Sequence, residues 1–166
     1  DPPRHDYIEN TLPSMEAGFA AGAEVVEIDV HLTPDKEFAV LHDWTLDCAT
    51  DGSGVTEQTP MGVLKTLDVG YRYTADGGAT FPLRGKGVGL MPILPEVLAR
   101  FPDRQFLINF KSNRAEEGEA LGQLIAAHPE WRGSLWGSYG GPAPTQKSVE
   151  RISGFRGYHG RSLIQC

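Results

Sequence analysis

The sequence predicts a single α/β domain with parallel strands. Segments with the two-residue alternation of strands and segments with the spacing of helices follow one another in regular turn. No heptad run, internal repeat or low-complexity stretch interrupts this order. With 40% hydrophobic and 22% charged residues, the 166-residue chain has the composition of a globular protein and the length for one sizeable core.

The N-terminal part predicts one helix and two strands. A helix is indicated over Thr11 to Ala21, where Pro13 suits the first turn. Residues 24–32 then alternate strictly between apolar and polar side chains, which is typical of a strand. Its polar face carries Glu27, Asp29 and His31. After a turn at residues 34–36, the almost wholly apolar Phe38 to His42 predicts a strand that is buried on both faces.

The middle of the chain has a different composition. Residues 43–91 are rich in Gly, Thr and Asp and contain one short helical pattern, from Met61 to Leu67. A connection of this length is usually a functional lid or a binding loop. We therefore predict a lid or loop region at about 43–91.

The C-terminal part returns to alternating strands and helices. The predicted elements are a short helix over Pro95 to Phe101, a strand over Gln105 to Lys111, a helix from Asn113 to about His128, a strand over Leu135 to Tyr139 and a helix over Thr145 to Ile152. Asn113 followed by Glu116 is typical of a helix-capping box. Phe155 to Cys166 begins a further element without completing it.

The charge of the chain restricts its function. A net charge of −7 argues against nucleic-acid binding, which needs clustered Lys and Arg. An acidic protein that binds a phosphate needs local positive charge, most simply a divalent cation. No apolar run reaches the about 18 residues of a stable membrane span, and two cysteines are too few for a disulfide framework. Compartment and oligomeric state stay open.

Polar residues at the ends of three predicted strands can converge. Glu27 and Asp29 are two apart and project from one side of their strand, and Asn109 and Lys111 share that relation. His42 ends another strand. Active sites of parallel barrels lie where the strands end. Two carboxylates at that place suit Mg²⁺ or Ca²⁺, which prefer oxygen ligands. A solvated strand face and ordinary strand-end charges are the alternative interpretation.

Three motifs, in this order and at these spacings, closely resemble the glycerophosphodiester phosphodiesterase family. They are Glu9-Asn10-Thr11-Leu12-Pro13, the stretch from Gly22 to Thr33, and His42-Asp43-Trp44-Thr45-Leu46-Asp47. A later stretch, Ile93 to Leu98, is similar to the helix before the family's next metal-site strand. The resemblance spans roughly residues 7 to 112.

The resemblance implies a TIM-type (β/α)₈ barrel that binds one divalent metal ion. It also implies hydrolysis of glycerophosphodiesters to glycerol 3-phosphate and an alcohol. A complete barrel takes about 250 residues, so we expect a partial barrel over residues 1–166, with the first strand and the closing strands missing. We expect this chain alone to be inactive.

The resemblance also implies roles for individual residues. His42 matches one of the family's two catalytic histidines, Lys111 a lysine beside the phosphate, and Glu9 the glutamate of the Glu-Asn-Thr motif at the edge of the site. Glu27 and Asp29 match two metal carboxylates. The third metal position falls at Asn109, whose amide oxygen can bind Mg²⁺ or Ca²⁺ without adding negative charge.

The chain departs from the family pattern at its start. The family's first strand ends in His-Arg-Gly, and Arg4-His5-Asp6 has the wrong order and lies too close to Glu9 to match it. Two alternatives to the hydrolase therefore stay open. One is a non-catalytic remnant of the barrel that binds phosphodiesters, and the other is a related phosphodiesterase that cleaves sphingolipid or phosphoinositide head groups.

Overall fold

The structure is a computed structural model that describes residues 6–158. Residues 1–5, with Arg4 and His5, and residues 159–166 lie outside the described part, so the predicted element over Phe155 to Cys166 is described only in its first residues. The strands are β1 (Val25–Leu32), β2 (Phe38–Val40), β3 (Gln105–Phe110) and β4 (Leu135–Gly140). The helices are α1 (Leu12–Ala20), α2 (Met61–Leu64), α3 (Leu94–Arg100), α4 (Ala115–Ala127) and α5 (Pro142–Arg151).

The strands form one four-stranded sheet in the order β2-β1-β3-β4. The pairs β1–β3 and β3–β4 are parallel, as expected, and each connection carries a helix. The expectation of parallel strands is wrong for β2, which pairs with β1 in the antiparallel direction. The reason is the short connection over residues 33–37, since a parallel crossover needs a dozen residues or more.

The antiparallel hairpin changes how residue 42 reaches the site. His42 does not end a strand at the shared edge of the parallel strands, because β2 runs back alongside β1. The ladder continues one residue beyond β2, where the Leu41 amide donates to the Asp29 carbonyl at 3.2 Å. The chain therefore brings Leu41 opposite Asp29 from the antiparallel direction, and His42 follows directly after it.

Two hydrophobic clusters fix the sheet and the region that follows it. The larger cluster packs α1, α3 and α4 on one face of the sheet, around Phe106, Ile108 and Phe110. The smaller cluster joins Leu41 of the hairpin to the 43–91 region through Leu64 and Met91. This region holds α2 and 3₁₀ turns at Leu46–Cys48 and Thr56–Gln58, and its function as a lid remains a prediction.

The predicted capping box of α4 is wrong by one residue. The N-cap is Arg114, and its amide donates to the Glu117 carboxylate at 3.4 Å. The Asn113 side chain instead accepts a hydrogen bond from the Ala143 amide in the first turn of α5, at 2.9 Å. Asn113 therefore ties the two helices together at the edge of the sheet where the site lies.

The open sheet leads us to expect self-association. Strand β4 is the outermost strand in the described part of the chain, and its outer edge is paired only around Ser138, with residues 156–158. Trp136 on β4 stacks on Tyr158 and is still 43% exposed. Unpaired edges with apolar side chains recruit further strands. We predict that the 166-residue chain elutes as a dimer or larger species in size-exclusion chromatography with light scattering, and that Trp136→Lys shifts it toward monomer.

Val63 on α2, which is 50% exposed, supplies the control for this experiment. Val63→Lys adds the same charge away from the β4 edge and should leave association unchanged. A wild-type monomer with a cooperative melt of high midpoint would contradict the expectation.

Candidate active site

The buried carboxylate of Asp29 lies at the centre of the site. It is 5% exposed and lies directly opposite Asn109 in the parallel β1–β3 ladder. The Asn109 amide nitrogen donates to its Oδ1 at 2.7 Å, and the Lys111 ammonium lies 3.3 Å from the same oxygen. A buried carboxylate is stable only when such partners replace water. The structure thus brings together three of the residues that the sequence singles out.

Asn10 holds Asp29 from the N-terminal side. Its amide nitrogen donates to Asp29 Oδ2 at 3.0 Å, and its amide oxygen accepts the Asp29 backbone N–H at 3.1 Å. Asn10 adopts a left-handed conformation with φ of 57°, which asparagine tolerates better than most residues. The next residue, Thr11, is the N-cap of α1, so the start of this helix is locked to β1.

Glu27 faces the same side of β1 and pairs with Tyr139 on β4. The Tyr139 hydroxyl donates to Glu27 Oε1 at 2.9 Å. Partial desolvation and the negative charge of Asp29 raise the pKa of Glu27, and partial burial together with Glu27 raises the pKa of Tyr139 to about 12. Tyr139 therefore stays a protonated donor at neutral pH. Tyr139 is in register with Asn109, which extends the row of polar groups across three strands.

His42 is a half-exposed side chain whose ring is oriented by its neighbour. Its Nδ1 lies 3.2 Å from the Asp43 carboxylate, and 53% of the side chain is exposed. A carboxylate can only accept this hydrogen bond, which places the ring proton on Nδ1 and leaves Nε2 free to exchange a proton. Within the described residues, no hydrogen bond joins His42 to Asp29 or Glu27.

Glu9 lies on a neighbouring cavity rather than against Asp29. The cavity has a volume of about 310 Å³ and is also lined by Asp43 and Arg72. Asp43 links this cavity to His42, whereas none of Glu27, Asp29, Asn109 or Lys111 is among the described residues that line it. The structure therefore places Glu9 at the side of the site, next to the loop that follows His42.

The oxygen ligands of the site fit a divalent cation in part. Glu27 and Asp29 offer hard carboxylate oxygens from one side of β1, the type that Mg²⁺ and Ca²⁺ prefer. Asn109 turns its nitrogen to Asp29, so it would act as a ligand only after its amide turned over. Between residues 6 and 158, no three Asp, Glu, His or Cys side chains cluster closely enough to hold a metal ion.

Two residues of this site carry no prediction from the sequence. Asn10 lies inside the Glu9-Asn10-Thr11 motif, but its position between α1 and β1 becomes visible only in three dimensions. Tyr139 ends the fourth predicted strand, and the rule that polar residues at strand ends converge applies to it as well. The strand-end pattern was therefore sufficient to find Tyr139.

Comparisons with known proteins indicate the family. The profile of the "Glycerophosphoryl diester phosphodiesterase family" matches residues 4–125. A "Glycerophosphodiester phosphodiesterase" of Caldanaerobacter subterraneus is 33% identical over 103 residues, which are 62% of this chain and 39% of that protein. The chain thus spans about two fifths of this relative.

Two solved structures share the fold. The glycerophosphoryl diester phosphodiesterase domain of a Mycobacterium tuberculosis protein superposes with a TM-score of 0.79 at 20% identity, covering 96% of this chain and 57% of that one. An Oleispira antarctica phosphodiesterase, in complex with the product sn-glycerol-3-phosphate, gives 0.68 at 22% identity, covering 92% and 60%.

None of the helices between residues 6 and 158 combines the length and hydropathy that a membrane span requires.

The open mixed sheet of four strands is a partial TIM-type barrel that matches somewhat more than half of these solved chains. The profile match covers well over half of the 166 residues. The chain belongs to the glycerophosphoryl diester phosphodiesterase family.

Proposed function

We propose that this chain is part of a metal-dependent enzyme that hydrolyses glycerophosphodiesters to glycerol 3-phosphate and an alcohol. The observation that carries the proposal is the convergence of Glu27, Asp29 and Lys111 at adjoining strands in a member of this family. The product bound to the Oleispira antarctica phosphodiesterase supports a glycerophosphodiester as the substrate class.

The proposed metal site consists of Glu27 and Asp29, with Asn109 as a third ligand through its amide oxygen. The bound Mg²⁺ or Ca²⁺ would supply a Lewis acid that offsets charge on the phosphoryl oxygens. Asn10 keeps Asp29 aligned, because it binds both the carboxylate and the backbone amide. Tyr139 keeps Glu27 oriented by donating its hydroxyl proton.

Lys111 and His42 are the proposed charge-neutralising and proton-transfer groups. Lys111 is 20% exposed and lies beside Asp29, where its ammonium can contact a phosphate oxygen. In the reaction an attacking oxygen forms a bond to phosphorus, the bond to the alcohol oxygen breaks, and one proton leaves the attacker while another reaches the leaving alkoxide. His42 Nε2 performs one of these two transfers, with Asp43 holding the other ring nitrogen.

Glu9 is proposed to border the alcohol side of the substrate. It shares a cavity with Asp43, which is adjacent to His42, and with Arg72 from the 43–91 region. A cavity next to the proton-transfer group is where a leaving alcohol would be accommodated. The cavity also makes the 43–91 region the place where head groups would be distinguished.

A non-catalytic, phosphodiester-binding protein is the second candidate. One observation favours it: Asn109, at the family's third carboxylate position, is used in the structure as a hydrogen-bond donor to Asp29.

Turnover distinguishes the two candidates. Because the barrel is partial, we expect none from the 166-residue chain, so turnover needs a completed barrel. The flanking segments of the Caldanaerobacter subterraneus relative can supply it as a chimera. Assays with deacylated phospholipids, lysophospholipids and phosphoinositides then separate the related phosphodiesterases.

The metal assignment is tested with Glu27→Gln. The amide keeps an oxygen that can accept from Tyr139 but removes the charge that would hold the cation. We predict a loss of Mg²⁺ or Ca²⁺ affinity larger than the about 10-fold that follows loss of an outer partner, measured by titration calorimetry. Glu24→Gln, which removes an exposed charge just before β1, is the control and should bind as wild type. Equal affinity in all three proteins would refute the site.

The proton-transfer assignment is tested with His42→Ala in the completed barrel. We predict a fall in kcat of about 10²–10⁴, the usual contribution of a general acid or base. The half-exposed position of His42 means that the melting temperature should change little. His128, also exposed and paired with a neighbouring carboxylate, supplies the control variant His128→Ala. Unchanged kcat with weaker substrate binding would give His42 a structural role.

Position 109 is tested with two opposite substitutions. Asn109→Glu adds a third carboxylate and should tighten metal binding, although it places like charge beside Asp29 when no metal is present. Asn109→Leu removes the amide and should weaken binding. Calorimetric titration of the two variants and the wild type measures this directly. Identical affinities would show that Asn109 serves only as a donor to Asp29.

A further inference from the structure

We infer that Glu57 is a positioning residue that holds the His42–Trp44 loop against β1, and so sets where His42 lies relative to Asp29. The inference rests on the proposed function, because it assigns Glu57 a part in that reaction. Glu57 lies in the 3₁₀ turn at Thr56–Gln58, in the 43–91 region. Among the described residues its ion pairs are with His31 and Arg114, and neither is a proposed metal ligand.

The Glu57 carboxylate joins two cationic or donor side chains from different elements. Its Oε1 lies 3.1 Å from His31 Nδ1 on β1, and its Oε2 lies 3.1 Å from the Arg114 guanidinium. The exposed fractions are 8% for the Glu57 side chain and 0% for that of His31. A carboxylate buried this deeply is stable only when its oxygens are paired. Charge-assisted hydrogen bonds of this kind are strong and fix the relative orientation of Glu57, His31 and Arg114.

Thr56, the residue before Glu57, links this turn to the His42–Trp44 loop through two hydrogen bonds. The Thr56 amide donates to the Trp44 carbonyl at 3.0 Å, and the Thr56 hydroxyl donates to the Asp43 carbonyl at 2.9 Å. Thr56 is fully buried. The peptide groups that directly follow His42 are therefore fixed to the turn that carries Glu57.

Arg114 extends the same restraint to β3. It is three residues beyond Lys111 in the chain, and its guanidinium also donates to the Leu32 carbonyl at the end of β1, at 3.1 Å. Glu57 is thus connected to the strand that carries Asp29, to the segment that follows Lys111 and to the loop that follows His42. Since a displacement of about 1 Å at a catalytic group can cost 10²-fold in rate, this connection matters for turnover.

A second ion pair of Arg114 provides a matched control. Glu116 binds the same guanidinium at 2.7 Å, but it is half exposed and makes no contact with the Thr56–Gln58 turn in the described part of the chain. Glu57→Ala and Glu116→Ala therefore remove one carboxylate each from Arg114. Only Glu57→Ala also frees His31 and the turn that holds the His42 loop.

The first test measures hydrogen exchange in the 166-residue chain, where no turnover is needed. We expect Glu57→Ala to speed exchange of the Thr56 amide, which is bonded to Trp44, and of neighbouring amides in the loop, while Glu116→Ala leaves them as in wild type. Exchange across β3 should stay protected in both variants, which shows that the sheet is folded. Equal exchange of the loop in both variants would overturn the inference.

The second test measures kinetics in the completed barrel. We expect Glu57→Ala to lower kcat by up to about 10²-fold, with a smaller change in KM and unchanged metal affinity, and Glu57→Gln to restore part of kcat, because its amide oxygen can still accept one hydrogen bond. A lower melting temperature with unchanged kcat would make Glu57 merely structural and overturn the inference. A wild-type chimera that binds substrate without turnover would count against the proposed function, and the exchange experiment would then decide the positioning of the loop on its own.

Discussion

The burial of one carboxylate, Asp29, is the constraint on which the site depends. A carboxylate removed from water must be paired, and leaving such a group without a partner typically costs about 3–5 kcal/mol. Asp29 meets this requirement with donors from the segment before α1, from β3 and from the residue that follows β3. The segment before α1, strand β1 and the end of β3, which are distant in sequence, are therefore held at one point.

The pairing of Asp29 with Asn109 and Lys111 also restricts how Asp29 can bind a cation. Asp29 Oδ1 already accepts from Asn109 and lies beside Lys111, so a divalent ion would have to share this oxygen or displace one of them. Glu27 is the more accessible of the two acidic side chains on β1, and it is bonded to Tyr139 through one oxygen. We expect Lys111 to turn from Asp29 toward the phosphate when metal and substrate are bound.

Local patterns predicted most of this architecture. Strict alternation over residues 24–32 gave the face of β1 that carries Glu27 and Asp29, and the apolar run before Asn109 gave β3. The antiparallel direction of β2 was also within reach, since the turn after β1 is too short for a crossover. The general expectation of parallel strands in this fold class pointed to the opposite direction for β2.

The contacts between distant segments could not be predicted in this way. Asn10 reaches Asp29 because its backbone is left-handed and because α1 lies close to β1 in space. Neither feature follows from the spacing of residues in the sequence. The pairing of His31 with Glu57 joins a strand to a turn within an irregular region, where alternation gives no register. Such contacts depend on how the 43–91 region folds over the hairpin.

The most direct test of the proposed metal site is to locate the bound cation on the chain. Mn²⁺ occupies oxygen sites that bind Mg²⁺ and broadens nearby amide resonances in an isotope-labelled sample. We expect low Mn²⁺ concentrations to broaden the amide resonances of residues around Glu27, Asp29 and Asn109 first, together with those at the end of β3. Broadening that begins at an exposed carboxylate away from the site, such as Asp76, with β1 and β3 unaffected, would contradict this assignment.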